Sequence, residues 1–233
     1  RRGAWAAGSG GGLAGVATGS GIIGGGKAGD RAGFSLAGIA DLNGDGRGEL
    51  LLGAPGMDAS AAKVDAGVAF VIWGPSSPVG GVDLADPFSG GGKGYAIKGE
   101  AAGDAAGYTV LSVGDMNGDG RPDVLVGAPG QDAGGTDAGA AYVIWGKSTA
   151  SAVQLTNVAA GTGGFKINGL SAGDAVGTAL GVLGDQNGDG KSEILIGVRD
   201  DNSAGPNAGA VYVVDGKATG AAVGLAPIAL GNG

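Results

Sequence analysis

Short apolar runs, set between glycine-rich polar stretches, recur along the chain in two phases. One type alternates, as in GDRAGFSLAGIA from Gly29, GDAAGYTVLSVG from Gly103 and GDAVGTALGVLG from Gly173, where Phe34, Tyr108 and Thr178 hold one equivalent position. The other type is continuous, at Leu50 to Leu52, Val124 to Val126 and Ile194 to Ile196. Alternation predicts a strand with two unlike faces, and an unbroken apolar run predicts an inner strand covered on both. A third run follows as GVAFVIWG from Gly67, GAAYVIWG from Gly139 and GAVYVVDG from Gly209. A fourth appears as YAIKG at Tyr95 and FKING at Phe165, with GIIGG at Gly21 as its counterpart before the first cycle. No window keeps the i, i+3, i+4, i+7 apolar spacing of a helix, and β-branched runs bounded by glycine predict an all-β chain.

The cycle repeats with spacings of 74 residues (Asp41 to Asp115) and 70 residues (Asp115 to Asp185). Four short antiparallel strands per unit with glycine-marked turns are the pattern of a β-propeller blade. A β-helix has much shorter rungs, and an immunoglobulin-like sandwich does not repeat its loops in this way. The predicted divisions are residues 21–93, 94–163 and 164–233. Residues 1–20 form either a glycine-rich leader or the tail of a preceding blade, with Trp5 echoing Trp73 and Trp145. Propellers close with about 4–8 blades. Three units are too few, which leaves a fragment of a longer propeller, a ring completed by partner chains, or an open stack.

Between the first two runs of every cycle lies an acidic loop written D-x-N-x-D-G-x-x-[DE]. A hard cation such as calcium takes 6–8 oxygens at ~2.3–2.6 Å, and a tight loop supplies them from alternate residues plus one main-chain carbonyl. The first loop offers Asp41, Asn43, Asp45, the Arg47 carbonyl and Glu49. The second offers Asp115, Asn117, Asp119, the Arg121 carbonyl and Asp123, and the third Asp185, Asn187, Asp189, the Lys191 carbonyl and Glu193. Three calcium sites are therefore expected; magnesium is the weaker candidate because it holds its waters and a stricter octahedron. An EF-hand would need an acid at position 12 and flanking helices. Leu52, Val126 and Ile196 stand there instead. Asp/Asn/Gly turns can also form without a metal, but a turn does not need three carboxylates crowded together in three copies.

Composition sharpens the picture. The chain has 233 residues, 57 of them glycine, and a net charge of −8. The nine loop acids account for the imbalance, since the remaining 13 acidic residues face 14 basic ones. No basic stripe for nucleic acid is visible, and no apolar stretch approaches the ~20 residues of a membrane-spanning helix. Cysteine and histidine are both absent. Disulfides are thereby excluded, and zinc chemistry and a Ser-His-Asp triad become poor expectations. The chain opens on Arg1-Arg2 without a signal peptide, as a processed or partial chain would.

With these motifs together, the chain resembles the FG-GAP repeats found in the propeller of integrin α subunits and in related bacterial surface proteins. The resemblance runs from about Gly21 to Gly216. It rests on Gly33-Phe34, Gly107-Tyr108 and Gly177-Thr178, on the three acidic loops, and on the GAP element at Gly53-Ala54-Pro55 and Gly127-Ala128-Pro129. The third copy departs, with Gly197-Val198-Arg199 in place of GAP and Asp215 where tryptophan would stand. The resemblance implies about seven blades, calcium in the loops of one face and ligands bound elsewhere.

Each loop comes from one short segment with enough oxygens to close a coordination shell, so the metal sites are expected to be structural. Extracellular calcium modules often bind at ~10⁻⁴–10⁻³ M, which favours a secreted or cell-surface location. The expected function is non-enzymatic: adhesion, surface structure or assembly. The expected partners are proteins or identical subunits, with carbohydrate as a lesser candidate. Variable loops at Met57 to Asp65, Gln131 to Asp137 and Asp200 to Asn207 would carry recognition. They are poor in aromatic and arginine anchors. Trp73 and Trp145 are read as packing residues before sugar platforms. The rival reading is a calcium-dependent carbohydrate-active enzyme or the accessory propeller of a hydrolase or lyase. It would need a base from Lys63, Lys93, Lys98, Lys147 or Lys166, none of which sits in a catalytic motif.

Overall fold

The structure is a computed structural model that describes residues 23–74, 82–84 and 94–225. Trp5, the segment 1–20, Gly21, Ile22 and Lys93 lie outside the described residues. In chain order the strands are β1 (Ile23–Gly24), β2 (Ser35–Ile39), β3 (Glu49–Ala54), β4 (Val68–Ile72) and β5 (Val82–Asp83). They continue with β6 (Gly94–Lys98), β7 (Val110–Gly114), β8 (Asp123–Ala128), β9 (Ala140–Ile144) and β10 (Val153–Gln154). A short helix α1 (Leu155–Ala159) precedes β11 (Gly164–Asn168), β12 (Ala179–Gly184), β13 (Glu193–Val198), β14 (Ala210–Val214) and β15 (Val223–Gly224). The chain is all-β, and no helix among the described residues is long and apolar enough to cross a membrane.

Two sheets are complete antiparallel meanders of four strands, β2-β3-β4-β6 and β7-β8-β9-β11. The third, β12-β13-β14, has three strands among the described residues. The first sheet takes its fourth strand from beyond residue 93, and the second from beyond residue 163. The sequence divisions at 93/94 and 163/164 thus fall inside sheets, between third and fourth strands. The first strands β2, β7 and β12 touch in succession, so the sheets fan out side by side. No closed ring is formed by the described residues.

A feature without any sequence signature joins the sheets. β10 pairs in parallel with β6, and β15 pairs in parallel with β11. Each unit so extends one arm onto the outer edge of the sheet before it. β5 makes the same parallel pairing with β1, matching Ile23 to Val82.

The core lies between the sheets, as residues of alternating direction dictate. Leu51, Ala69, Val71 and Ile97 of the first sheet pack on Val124, Val126, Tyr142 and Ile144 of the second. Leu125, Val143, Phe165 and Ile167 on the opposite face of the second sheet pack on Ile194, Ile196, Tyr212 and Val214 of the third. The middle strands β8 and β9 are buried at every position, whereas β14 alternates between buried and exposed. Close approach between sheets is what requires glycine in the GAP element. A Cβ on Gly127 would stand 2.1 Å from the Gly177 carbonyl oxygen.

Candidate metal centres

The acidic loops join the first and second strands of each unit, at the end of the sheets where β3, β8 and β13 begin. In the first loop Asp41 folds the turn about itself. Its Oδ1 accepts from the N–H of Gly44 (2.7 Å) and Asp45 (3.0 Å), and its Oδ2 from Gly46 (2.7 Å). Gly46 has φ 82°, a left-handed conformation that glycine adopts without strain. Asn43 Oδ1 accepts from Asp45 N–H at 2.8 Å, and Asp45 Oδ1 from Arg47 N–H at 2.9 Å. The backbone donors, that of Gly46 foremost, hold the Asp41 carboxyl below its ordinary pKa. Asp115 repeats all three bonds of Asp41, and Asp185 repeats those from Gly188 and Gly190 N–H.

The ninth position differs between loops. Glu49 reaches back from the start of β3, 4% exposed, and its Oε2 accepts from Leu42 N–H at 2.7 Å. Its Oε1 is buried and makes no hydrogen bond, although the Gly74 N–H pulls the carboxyl's pKa down against the effect of burial. Burial, with Asp41 and Asp45 adding repulsion, raises its pKa. Ligand oxygens of Asp41, Asp45 and Glu49 lie within 4.8 Å of one another, and those of Asp185, Asp189 and Glu193 do the same. In the third loop Glu193 accepts from Gln186 N–H at 2.5 Å and from Asn187 Nδ2 at 3.2 Å.

Asp115, Asp119 and Asp123 do not form such a group. Asp123 is one methylene shorter and fully buried, and both its oxygens are engaged: Oδ2 by Met116 N–H at 2.9 Å and Oδ1 by Gly146 N–H at 2.8 Å. Burial pushes its pKa up to about 7, against the pull of those donors. Arg47 and Lys191 turn their side chains to the neighbouring acids, at 3.5 Å from Asp45 and 3.1 Å from Asp189. Their carbonyls remain the expected position-7 oxygens, as does that of Arg121. The donor set of the first and third loops, all-oxygen and anionic with an unpartnered buried Oε1 in the first, fits a hard divalent cation.

Three of the lysines weighed as catalytic bases, Lys63, Lys147 and Lys166, make structural contacts. Lys63 donates to the Gly99 carbonyl at 3.3 Å, and Lys147 lies 4.5 Å from the Tyr95 ring centre while donating to the Ser151 carbonyl. Lys98 lines a cavity beside the first sheet. Lys166 belongs to a cluster that sequence reasoning missed. Its Nζ sits 2.8 Å from Glu100 Oε2, which also accepts from Tyr142 OH at 2.5 Å. Glu100 leads out of the first sheet while Tyr142 and Lys166 belong to the second, so the three link neighbouring units. Trp73 packs against the core between the first two sheets, and the Nε1 atoms of Trp73 and Trp145 are buried without partners.

Four-stranded antiparallel units with an acidic loop at one fixed turn define a repeat protein of the blade type. Residues 106–144 match the family model described as FG-GAP repeat, which spans β7, the second acidic loop, β8 and β9. The chain carries an FG-GAP repeat at these residues. It is also similar to phosphatidylinositol-glycan-specific phospholipase D of Rattus norvegicus, 30% identical over 174 residues, which is 71% of this chain and 18% of the relative. The protein of that name from Mus musculus is 33% identical over 120 residues, 51% of this chain and 14% of the relative. The chain thus spans less than a fifth of either curated relative.

Proposed function

We propose that the chain is a non-enzymatic, calcium-stabilised array of propeller blades that works outside the cell or at its surface, in adhesion, surface structure or protein assembly. The observation that carries this reading is the gathering of three carboxylates within 4.8 Å in both the first and third loops. Three like charges so close repel unless a cation neutralises them. Calcium would be held by Asp41, Asn43, Asp45 and Glu49 with the Arg47 carbonyl, and by Asp185, Asn187, Asp189 and Glu193 with the Lys191 carbonyl. Bound there it supplies charge neutralisation and loop order, and the chain's own residues supply the turn that presents the oxygens. The second loop binds more weakly, because its three carboxylates are not gathered as those of the first and third loops are.

Location outside the cell follows from the chemistry of weak sites, which fill only where calcium is abundant. Partners are proteins, identical subunits among them, or carbohydrate. The second reading, an accessory array beside the catalytic part of a phospholipase-like enzyme, is favoured by the similarity to phosphatidylinositol-glycan-specific phospholipase D. Calorimetric titration with calcium tests the metal reading. The expected outcome is two tighter sites and one weaker one, with one tight site lost in Asp45→Ala and the other in Asp189→Ala. No heat of binding, or binding indifferent to both substitutions, would refute it.

A further inference from the structure

Ser192 of the third acidic loop reaches across to the second. Its N–H donates to the main-chain carbonyl of Asp115 at 3.0 Å, a bond between units that joins position 8 of one loop to position 1 of the loop before it. The approach is close around this bond. A Cβ on Gly114, the residue preceding Asp115, would stand 2.5 Å from Ser192 Oγ. A Cβ on Gly216 would meet Lys191 Cβ at 2.6 Å, the Ser192 carbonyl oxygen at 2.7 Å and the Met116 carbonyl oxygen of the second loop at 2.9 Å. Larger residues at these two places would push the loops apart.

The second loop lies between the other two, since β2, β7 and β12 touch in succession. Its side toward the first loop lacks the same bond for a covalent reason. Pro122 holds position 8 of the second loop, and proline has no N–H to donate. Ala40 stands where the second unit has Gly114. At Gly146, the counterpart of Gly216, the three nearest atoms belong to Arg121 and Pro122 of the second loop itself. Through this position the second loop is therefore bonded to only one of its two neighbours.

We propose that the third loop controls calcium binding at the second through the Ser192 N–H, while the first loop exerts no such control; the inference rests on the calcium reading given above. Lys191 and Glu193, whose carbonyl and carboxylate are the expected ligand oxygens of the third loop, flank Ser192 in the chain, so filling that loop fixes the backbone between them. Ser192 then holds the Asp115 carbonyl, and with it the residue whose carboxylate accepts from the Gly118, Asp119 and Gly120 N–H groups and folds the second loop. A loop ordered in advance loses less conformational freedom on binding, which makes the coupling positive. Repulsion between neighbouring cations has the opposite sign, and it needs no N–H to act. A positive sign and a dependence on Ser192 therefore mark the route through the hydrogen bond.

Calcium titrations followed at the amide NMR signals of Gly118 and Gly188, each of which donates to the first aspartate of its loop, read the second and third loops separately. Asp189→Ala should weaken calcium at the second loop by about fivefold or more, the lower end of ordinary coupling between sites, and by reciprocity Asp119→Ala should weaken the third loop by the same factor. Asp45→Ala should leave the second loop unchanged. In Ser192→Pro the effect of Asp189→Ala on the second loop should vanish. The second loop already carries proline at this position, so the substitution suits the loop backbone, and circular dichroism checks the fold. Ser192→Gly keeps the N–H, with Gly48 as its precedent at position 8 of the first loop, and should keep the coupling. A Gly118 response indifferent to Asp189→Ala, a coupling that survives in Ser192→Pro, or one lost in Ser192→Gly would overturn the proposal and leave the metal reading standing. No response to calcium at Gly44, Gly118 or Gly188 would refute both.

Discussion

Glu49 and Asp123 stand at the same position of the repeat, but only Glu49 gathers with the other two acids of its loop. Both accept from a loop N–H, that of Leu42 for Glu49 and of Met116 for Asp123, but Asp123 also accepts from Gly146 N–H at 2.8 Å, whereas Glu49 Oε1 makes no hydrogen bond. A sequence pattern that treats Asp and Glu alike at this position cannot see the difference. Small size is itself a requirement at Gly127, where a methyl would enter the Gly177 carbonyl. Gly127→Ala should lower stability by about 1–3 kcal/mol or more, typical of overpacking, read as a lower urea midpoint at unchanged slope. Asp104 offers a pH test. Burial first, with Glu100 adding repulsion, raises its pKa to about 6, while the Ala101 N–H and Lys166 oppose the rise. A carboxyl with a raised native pKa binds its proton better folded than unfolded. Its contribution to stability is therefore full below about pH 4 and is lost as pH climbs through about 6. The difference in unfolding free energy between the protein and Asp104→Asn, followed across that window, should show this fall; a flat difference would contradict it.

The strands of the meanders were legible because each combines a period of two, or an unbroken apolar run, with glycine at its ends. The two-residue arms β5, β10 and β15 were not, since so short a strand has no period and its partner lies some 55 to 60 residues away in sequence. The helix α1 escaped for the same reason, its five residues being too few to display an amphipathic face. The arms nonetheless tie unit to unit. Val153 of β10 is partly buried against the core between the first two sheets. Val153→Asp should cost about 1–3 kcal/mol, measured by chemical unfolding. A change near zero would mean that the arms rest on the sheets without stabilising them.

At the scale of the whole molecule, the acidic loops line one end of the fanned sheets, and the polar cluster of Glu100, Tyr142 and Lys166 pins the first two units away from it. The FG-GAP repeat and the all-β class were readable in advance. The register of one sheet on another was not, since it depends on contacts such as Lys166 with Glu100 that join residues of different units. If the loops hold calcium, the array draws stability from it. The most direct measurement is the thermal unfolding midpoint in excess calcium and in excess chelator, with Glu49→Gln and Glu193→Gln beside the unaltered chain. Each site filled at a hundredfold excess over its dissociation constant adds about 2.7 kcal/mol, or a rise of roughly 5–10 °C for a chain of this size. Calcium binding in the loops predicts such a rise, reduced by either substitution. A midpoint that calcium leaves unmoved would contradict it.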